Sequence, residues 1–189
     1  PPRCSLFGIC GGCQYQHIDY GKQLEIKEGQ ISNMFNMSIG INYDINRVKY
    51  SNQTYNYRSK ITPHYNKPDK NGDQPFGFLA NGRRNKIIDV EECSIATEMI
   101  NRDIKKNKKK IMKEGRKKKR LRGGTLLLRD TIEGVITDSK KIVSHKVGSL
   151  NFQFKAGDFF QNNLYILPYM IDFIKDSFSD CDLDYLIDA

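Results

Sequence analysis

The sequence predicts an α+β fold, and three features of its 189 residues carry that prediction. Helical periodicity stands near both ends, short alternating stretches separated by turn formers fill the middle, and a Cys/Gly segment precedes the first helix. At roughly 100–200 residues per domain, the length fits one domain or two small ones, enough to bury a core without disulfides or metal.

Residues 3–17 form the compact Cys/Gly segment, with CSLFGICGGC followed by Gln14, Tyr15, Gln16 and His17. From Asp19 to about Phe35, Tyr20, Leu24, Ile31 and Phe35 recur on one face of a helix. Gly29 weakens that helix by about 1 kcal/mol relative to alanine. A polar, Asn-rich stretch to about Thr54 reads as a loop with at most one short strand. Five strands follow, over 57–65, 75–79, 86–90, 125–129 and 135–137, with turns at Pro68-Asp69, Asn71-Gly72-Asp73 and Asn81-Gly82. A helix is expected near 95–104, carrying the start of a basic run that Gly123-Gly124 ends.

A hairpin is predicted over 141–156, with Gly148-Ser149 as its two-residue loop. Its second arm alternates Leu150, Phe152 and Phe154 at period two, as a half-buried strand does. After Gly157-Asp158 comes FFQNN, in which Asn162 or Asn163 suits a helix cap. Leu167, Met170, Ile171, Ile174 and Phe178 then share a helical face, and Pro168 belongs in that helix's first turn. The apolar run at 185–189 reads as a strand just beginning.

The formal charge is +9, concentrated in one segment. Residues 102–122 hold 13 Lys and Arg against Asp103 and Glu114, a local +11, while the remainder sums to −2. Such a run points to a polyanionic partner or to a solvated lysine-rich loop. No apolar run approaches the ~20 residues that cross a bilayer, so a membrane protein is not expected. No secretory signal opens the chain, which sets the expectation inside the cell, with cytoplasm, nucleus and organelle undistinguished.

Cys4, Cys10 and Cys13 follow a C-x5-C-x2-C spacing, and Cys93 lies 80 positions beyond Cys13. Four thiolates brought together suit a tetrahedral zinc ion or a cubane iron–sulfur cluster. Structural zinc more often uses two C-x2-4-C knuckles, and the second is missing here, which favours the 4Fe-4S cluster with zinc as runner-up. Gly11 and Gly12 let the backbone turn tightly with amide N–H groups free to point at sulfur. Cys181, among aspartates and without a partner motif, reads as an ordinary cysteine.

The segment Cys4-x5-Cys10-Gly-Gly-Cys13-Gln-Tyr-Gln, followed by Tyr20, Gln23, Leu24 and Lys27, resembles the cluster-binding start of the RNA uracil-5-methyltransferases. The resemblance continues through NYRSK at 56–60, through DVEECSI at 89–95, where the family places its fourth cluster cysteine, and through AGDFFQNN at 156–163. These four motifs occur in the family's order and span most of the chain. The stretches at 62–64 and 124–129 look closest to the fungal transfer-RNA branch, which methylates the T-loop uridine.

The resemblance implies methyl transfer from S-adenosylmethionine to carbon 5 of uridine in RNA, with tRNA as the expected partner. In that chemistry a cysteine adds to carbon 6 of a flipped base and a glutamate removes the carbon-5 proton. It places Cys4, Cys10, Cys13 and Cys93 on the cluster, Gln161 near the methyl donor and Phe159 near the target base; Arg58 and Lys60, on a strand, either contact RNA phosphate or are solvated. None of the five cysteines stands in the nucleophile's motif, so no catalytic residue is assigned in this chain.

Three parts are thus expected. Residues 1–40 carry the cluster segment and helix. Residues 41–147 form a β-rich RNA-contacting domain with a lysine-rich insertion at 102–122, an auxiliary RNA contact. Residues 148–189 hold the first helix and the start of the first strand of a truncated Rossmann-like α/β methyltransferase domain. The chain is read as a fragment, monomeric and inactive alone. The alternative is a stand-alone metal-binding, RNA-binding module with no chemistry of its own.

Overall fold

The computed structural model describes residues 1–40, 45–117 and 123–179. It is a mixed α and β structure in which one helix closes over two small antiparallel sheets. The end of the basic run at 118–122, Cys181 and the strand expected at 185–189 lie outside the described residues.

The first helix, α1 (Tyr20–Ile39), starts where Asp19 Oδ1 accepts from the N–H of Gly21 at 2.9 Å and ends where Gly40 adopts φ 66°. No residue of α1 is buried: of its expected stripe, Tyr20 and Leu24 are half-buried and Ile31 and Phe35 are exposed, contrary to the burial that its periodicity implies. The helix is tied down by polar contacts instead. Gln23 Nε2 donates to the carbonyls of Tyr15 and Ile18, and Glu28 accepts from the N–H of Val48.

The strand expected over 57–65 is divided into β1 (Lys60–Ile61) and β2 (His64–Tyr65). Then come β3 (Phe76–Ala80) and β4 (Arg83–Asp89), joined through Asn81-Gly82. Helix α2 (Glu98–Lys117) begins three residues later than the sequence suggests and continues well into the basic run. The strand expected over 125–129 is likewise divided, into β5 (Gly124–Thr125) and β6 (Leu128–Thr131), and β7 (Gly134–Ile136) follows.

The two divisions have one cause. The buried Pro63 lacks an N–H, so the ladder loses a bond at that point. Its carbonyl still accepts from Leu126 N–H at 2.9 Å, and the register is continuous from Ile61↔Leu128 to His64↔Thr125. One long pairing therefore bends at Pro63 and feeds two sheets, β1-β6-β7 and β4-β3-β2-β5. Ile100 and Ile104 of α2 fill the space between them against Ile61, Phe76, Ala96 and Leu128.

The hairpin β8 (Ile142–Val147) and β9 (Leu150–Lys155) turns at Gly148-Ser149 with φ 59° at the glycine, as expected. Helix α3 (Leu167–Phe178) has Pro168 in its first turn, but its N-cap is Ile166 without a side-chain bond. Neither Asn162 nor Asn163 caps it, because Asn163 Oδ1 already accepts from Tyr165 N–H one turn upstream. Leu167 is buried, whereas Met170, Ile174 and Phe178 are exposed. No helix among the described residues is long and apolar enough to cross a membrane.

Within the basic run, Lys108 differs from its neighbours. Its ammonium is buried on the inner face of α2 and pairs with Asp89 at 2.6 Å and with Glu91. Burial works against the charge, but the bonds to the two carboxylates outweigh it and hold the ammonium above its ordinary range. Replacing Lys108 with Ala strands two carboxylates, one of them half-shielded, and is expected to cost about 1–3 kcal/mol. Lys109→Ala, on the exposed side, is expected to stay within about 0.5 kcal/mol of the parent. Urea denaturation of both variants measures the contrast.

Candidate functional site

The Cys/Gly segment lies on the β3–β4 turn as an irregular extra strand. Gly11 N–H donates to Leu79 O at 2.9 Å, and Asn81 N–H donates to Ile9 O at 2.8 Å. Gly11 suits this close approach, since a Cβ there would stand 3.1 Å from Leu79 O, tighter than ordinary contact. On the other side, NYRSK runs beside the Cys93 loop: Asn56 N–H donates to Ser94 O, Arg58 N–H to Ile95 O, and Thr97 N–H to Arg58 O. Asn101 on α2 fixes the same loop, accepting from Cys93 N–H at 2.8 Å and donating to Cys93 O at 3.1 Å.

These contacts bring Cys4, Cys10, Cys13 and Cys93 to the lining of one cavity of about 180 Å³, together with Phe7, Gln16, Arg58 and Phe78. Among the described residues, no group of three or more His, Cys, Asp and Glu side chains is arranged to hold a metal ion. The thiols line a space rather than converge on a point. Burial pushes the Cys10 and Cys93 thiols up, and the neighbouring thiols add to this. Backbone N–H groups oppose it, from Gly12 toward Cys10 and from Ile95 and Ala96 toward Cys93. Only Gly12 of the two central glycines supplies such a donor; the residue with positive φ in this segment is Gly8, at 81°.

The segment at 156–163 crosses the far side of the same strand. Ser59 N–H donates to Asn162 O at 2.9 Å, and Arg58 is bridged to Asn163. Gln161 is half-buried one residue away from this bond. Phe159 and Phe160 take opposite roles. Phe159 is 79% exposed, while Phe160 stacks on Phe154 with ring centroids 4.2 Å apart and on His145 at 5.7 Å. Phe159 is therefore free to meet a base, and Phe160 is packing.

Arg58 and Lys60 both make hydrogen bonds within the protein. Arg58 Nε donates to Lys60 O and its side chain borders the cysteine cavity. Lys60 Nζ donates to the carbonyls of Gly157 at 3.0 Å and Asp158 at 3.2 Å. Sequence reasoning missed the partner of this clamp. Arg129, fully buried, donates from Nε to Ala156 O at 2.7 Å and from Nη2 to Asp158 O at 2.6 Å, beneath the Phe154 ring. The available signal was an arginine at the end of the apolar run TLLLR, where a charge without partners does not belong. Gly157 closes the clamp: a Cβ there would meet Ser139 Cβ at 2.8 Å.

His145 supports the Phe160 ring and carries a pH dependence. Its Nε2 lies 2.7 Å from the Asp130 carbonyl, which makes Nε2 the protonated nitrogen. Burial, reinforced by the Arg129 charge, holds its pKa below the ordinary value despite the opposing bond to Asp130. The folded state thus takes up this proton less readily than the unfolded one. The stability contributed by the neutral ring is present above about pH 6.5 and is lost as pH falls from there toward the folded-state value. Thermal melts from about pH 7.5 down to 5.5 should show a decline that His145→Phe removes.

No protein-family model matches the chain. A tRNA (uracil(54)-C(5))-methyltransferase of Schizosaccharomyces pombe is 39% identical over 185 residues, 92% of this chain and 34% of that protein. The protein of the same name from Saccharomyces cerevisiae is 25% identical over 256 residues, 99% of this chain and 40% of that protein. The chain therefore spans between a third and two fifths of the length of these curated relatives. The crystal structure of the Pyrococcus abyssi tRNA (uracil-54, C5)-methyltransferase, in complex with S-adenosyl-L-homocysteine, aligns with a TM-score of 0.61 at 17% identity. It covers 89% of this chain and 51% of that one, a likeness in fold. With the four motifs in order and this identity to the Schizosaccharomyces pombe protein over most of its length, the chain belongs to the RNA uracil-5-methyltransferase family.

Proposed function

We propose that this chain is the cluster-bearing, RNA-contacting part of an S-adenosylmethionine-dependent tRNA uracil-5-methyltransferase. The observation that carries the reading is the single cavity lined by Cys4, Cys10, Cys13 and Cys93, with the Phe159 segment bonded to the strand that borders it. When bound, S-adenosylmethionine supplies the methyl group. Gln161 is the residue of this chain proposed to lie near it. Phe159 presents an open aromatic face on which a uracil can stack.

The donor set fits an iron–sulfur cluster better than a single ion. Sulfurs around one zinc stand about 2.3 Å from it and converge closely. Here the thiols line a void of about 180 Å³, against the ~10–15 Å³ that one water-sized occupant needs. The amides of Gly12, Ile95 and Ala96 directed at Cys10 and Cys93 suit negatively charged sulfur, whereas burial favours the neutral thiols, so the charged form requires a cationic centre bound to it. Cys4, Cys10, Cys13 and Cys93 would hold the cluster. Because Cys93 joins segments far apart in sequence, its role is structural: it locks the Cys/Gly segment to the β-rich core.

Anaerobically purified protein is expected to be brown and to contain iron and sulfide. A colourless protein with one zinc per chain would refute the cluster. Cys13→Ser is expected to lower the melting temperature and loosen residues 4–16 toward protease. The 189 residues alone are expected to transfer no methyl group, because none of their cysteines stands in the nucleophile's motif. Labelled methyl groups appearing in tRNA with this chain alone would sink that part of the reading.

A further inference from the structure

Helix α2 divides the basic run into two chemically different sets. At 3.6 residues per turn, Ile100, Ile104, Lys108 and Ile111 fall on one face. The isoleucines join the core, and Lys108 is neutralised by Asp89 and Glu91. Arg102, Lys105, Lys106, Lys109, Lys110 and Lys113 fall on the opposite face, and all six are exposed. They form a stripe about 16 Å long at 1.5 Å per residue. Among the described residues its one ion pair is at the start, where Arg102 lies 3.8 Å from Glu98. From Lys105 to Lys113 the stripe contains no acidic residue.

We propose that this stripe is a docking surface for the phosphate backbone of a helical RNA stem. The inference rests on the tRNA reading above and adds to it a surface separate from the cysteine cavity and from Phe159. Three observations select the occupant. First, lysines at i and i+4 repel, so the stripe weakens its own helix, and a polyanion lying along it relieves that repulsion at all of them together. Second, α2 has no aromatic residue, so it offers no platform for stacking unpaired bases and can read only the backbone. Third, its apolar face is already committed to the core, so it has nothing to insert into a lipid surface.

The stripe also has a fixed orientation. Asn101 anchors α2 to the Cys93 loop, and Arg102 and Lys105 line the same surface hollow as Cys93 and Arg3. A stem lying along the stripe therefore leads toward the cluster side of the molecule. Neutralising the stripe should weaken binding without altering which base is chosen.

The test compares the intact chain with its Lys105→Gln/Lys106→Gln/Lys109→Gln/Lys110→Gln variant, measuring affinity for unmodified tRNA across a salt series. Each phosphate contact contributes about 0.7–0.9 to the slope of log affinity against log salt, so the variant's slope should be shallower by about 3. Its melting temperature should be no lower than the parent's, which confirms that it folds. A short RNA duplex should compete with tRNA on the parent better than polyuridine does. A parent that binds tRNA with the same salt slope as the variant overturns the stripe and leaves the functional reading standing. Polyuridine competing better than the duplex overturns the stem, and stripe-dependent binding seen only with anionic phospholipid vesicles overturns RNA as the occupant. A parent that does not bind tRNA at low salt overturns the functional reading and the stripe together.

Discussion

The backbone of Arg58 and Ser59 is shared on three sides, and the rest of the molecule is arranged around it. One side bonds to the Cys93 loop, with Arg58 N–H on Ile95 O and Arg58 O receiving Thr97 N–H. The next residue turns the other way: Ser59 N–H and its hydroxyl both donate to Asn162 O. Ser59 O receives Asp130 N–H from β6. Ser59 is almost fully buried, so each of these groups must find a protein partner or bear the cost of desolvation.

Charge is used in two opposite ways. Lys60 and Arg129 point inward at three successive carbonyls, those of Ala156, Gly157 and Asp158, and Lys108 points inward at two carboxylates. Burial lowers the pKa of both Lys60 and Arg129, yet carbonyl oxygens directed at them keep the charged forms in place. The loop that ends in the exposed Phe159 is thereby held from beneath by two cations, not by apolar packing of its own. Among the described residues, the outward cations of α2 from Lys105 to Lys113 have no such partners.

The apolar faces of α1 and α3 show a limit of periodicity arguments. Helical spacing in both was plain, and both helices formed. Yet Ile31 and Phe35 of α1, and Met170 and Ile174 of α3, remain exposed. Periodicity states which residues share a face; it does not state that another element lies against it. In α2 the face was covered because the bent sheet pair leaves a concave space of the right size for Ile100 and Ile104.

The sequence by itself determined the local elements, their turns and the family. Asp19 before an apolar period, Gly148-Ser149 between alternating arms, and Pro168 at a helix start act over a few residues, where spacing is sufficient information. Only the tertiary structure decided three other matters. It bent one long pairing into two sheets at Pro63, whose missing N–H matters only when the partner strand is known. It turned Lys60 and Arg129 inward together, a pairing that depends on β1 lying beside β6. It separated Lys108 from the lysines around it: the isoleucine period sets Lys108 on the inner face of α2, but only the approach of Asp89 and Glu91 supplies the carboxylates that pair it there. A charge is legible in a sequence; whether it faces carbonyls, carboxylates or water depends on what the chain brings to it from a distance.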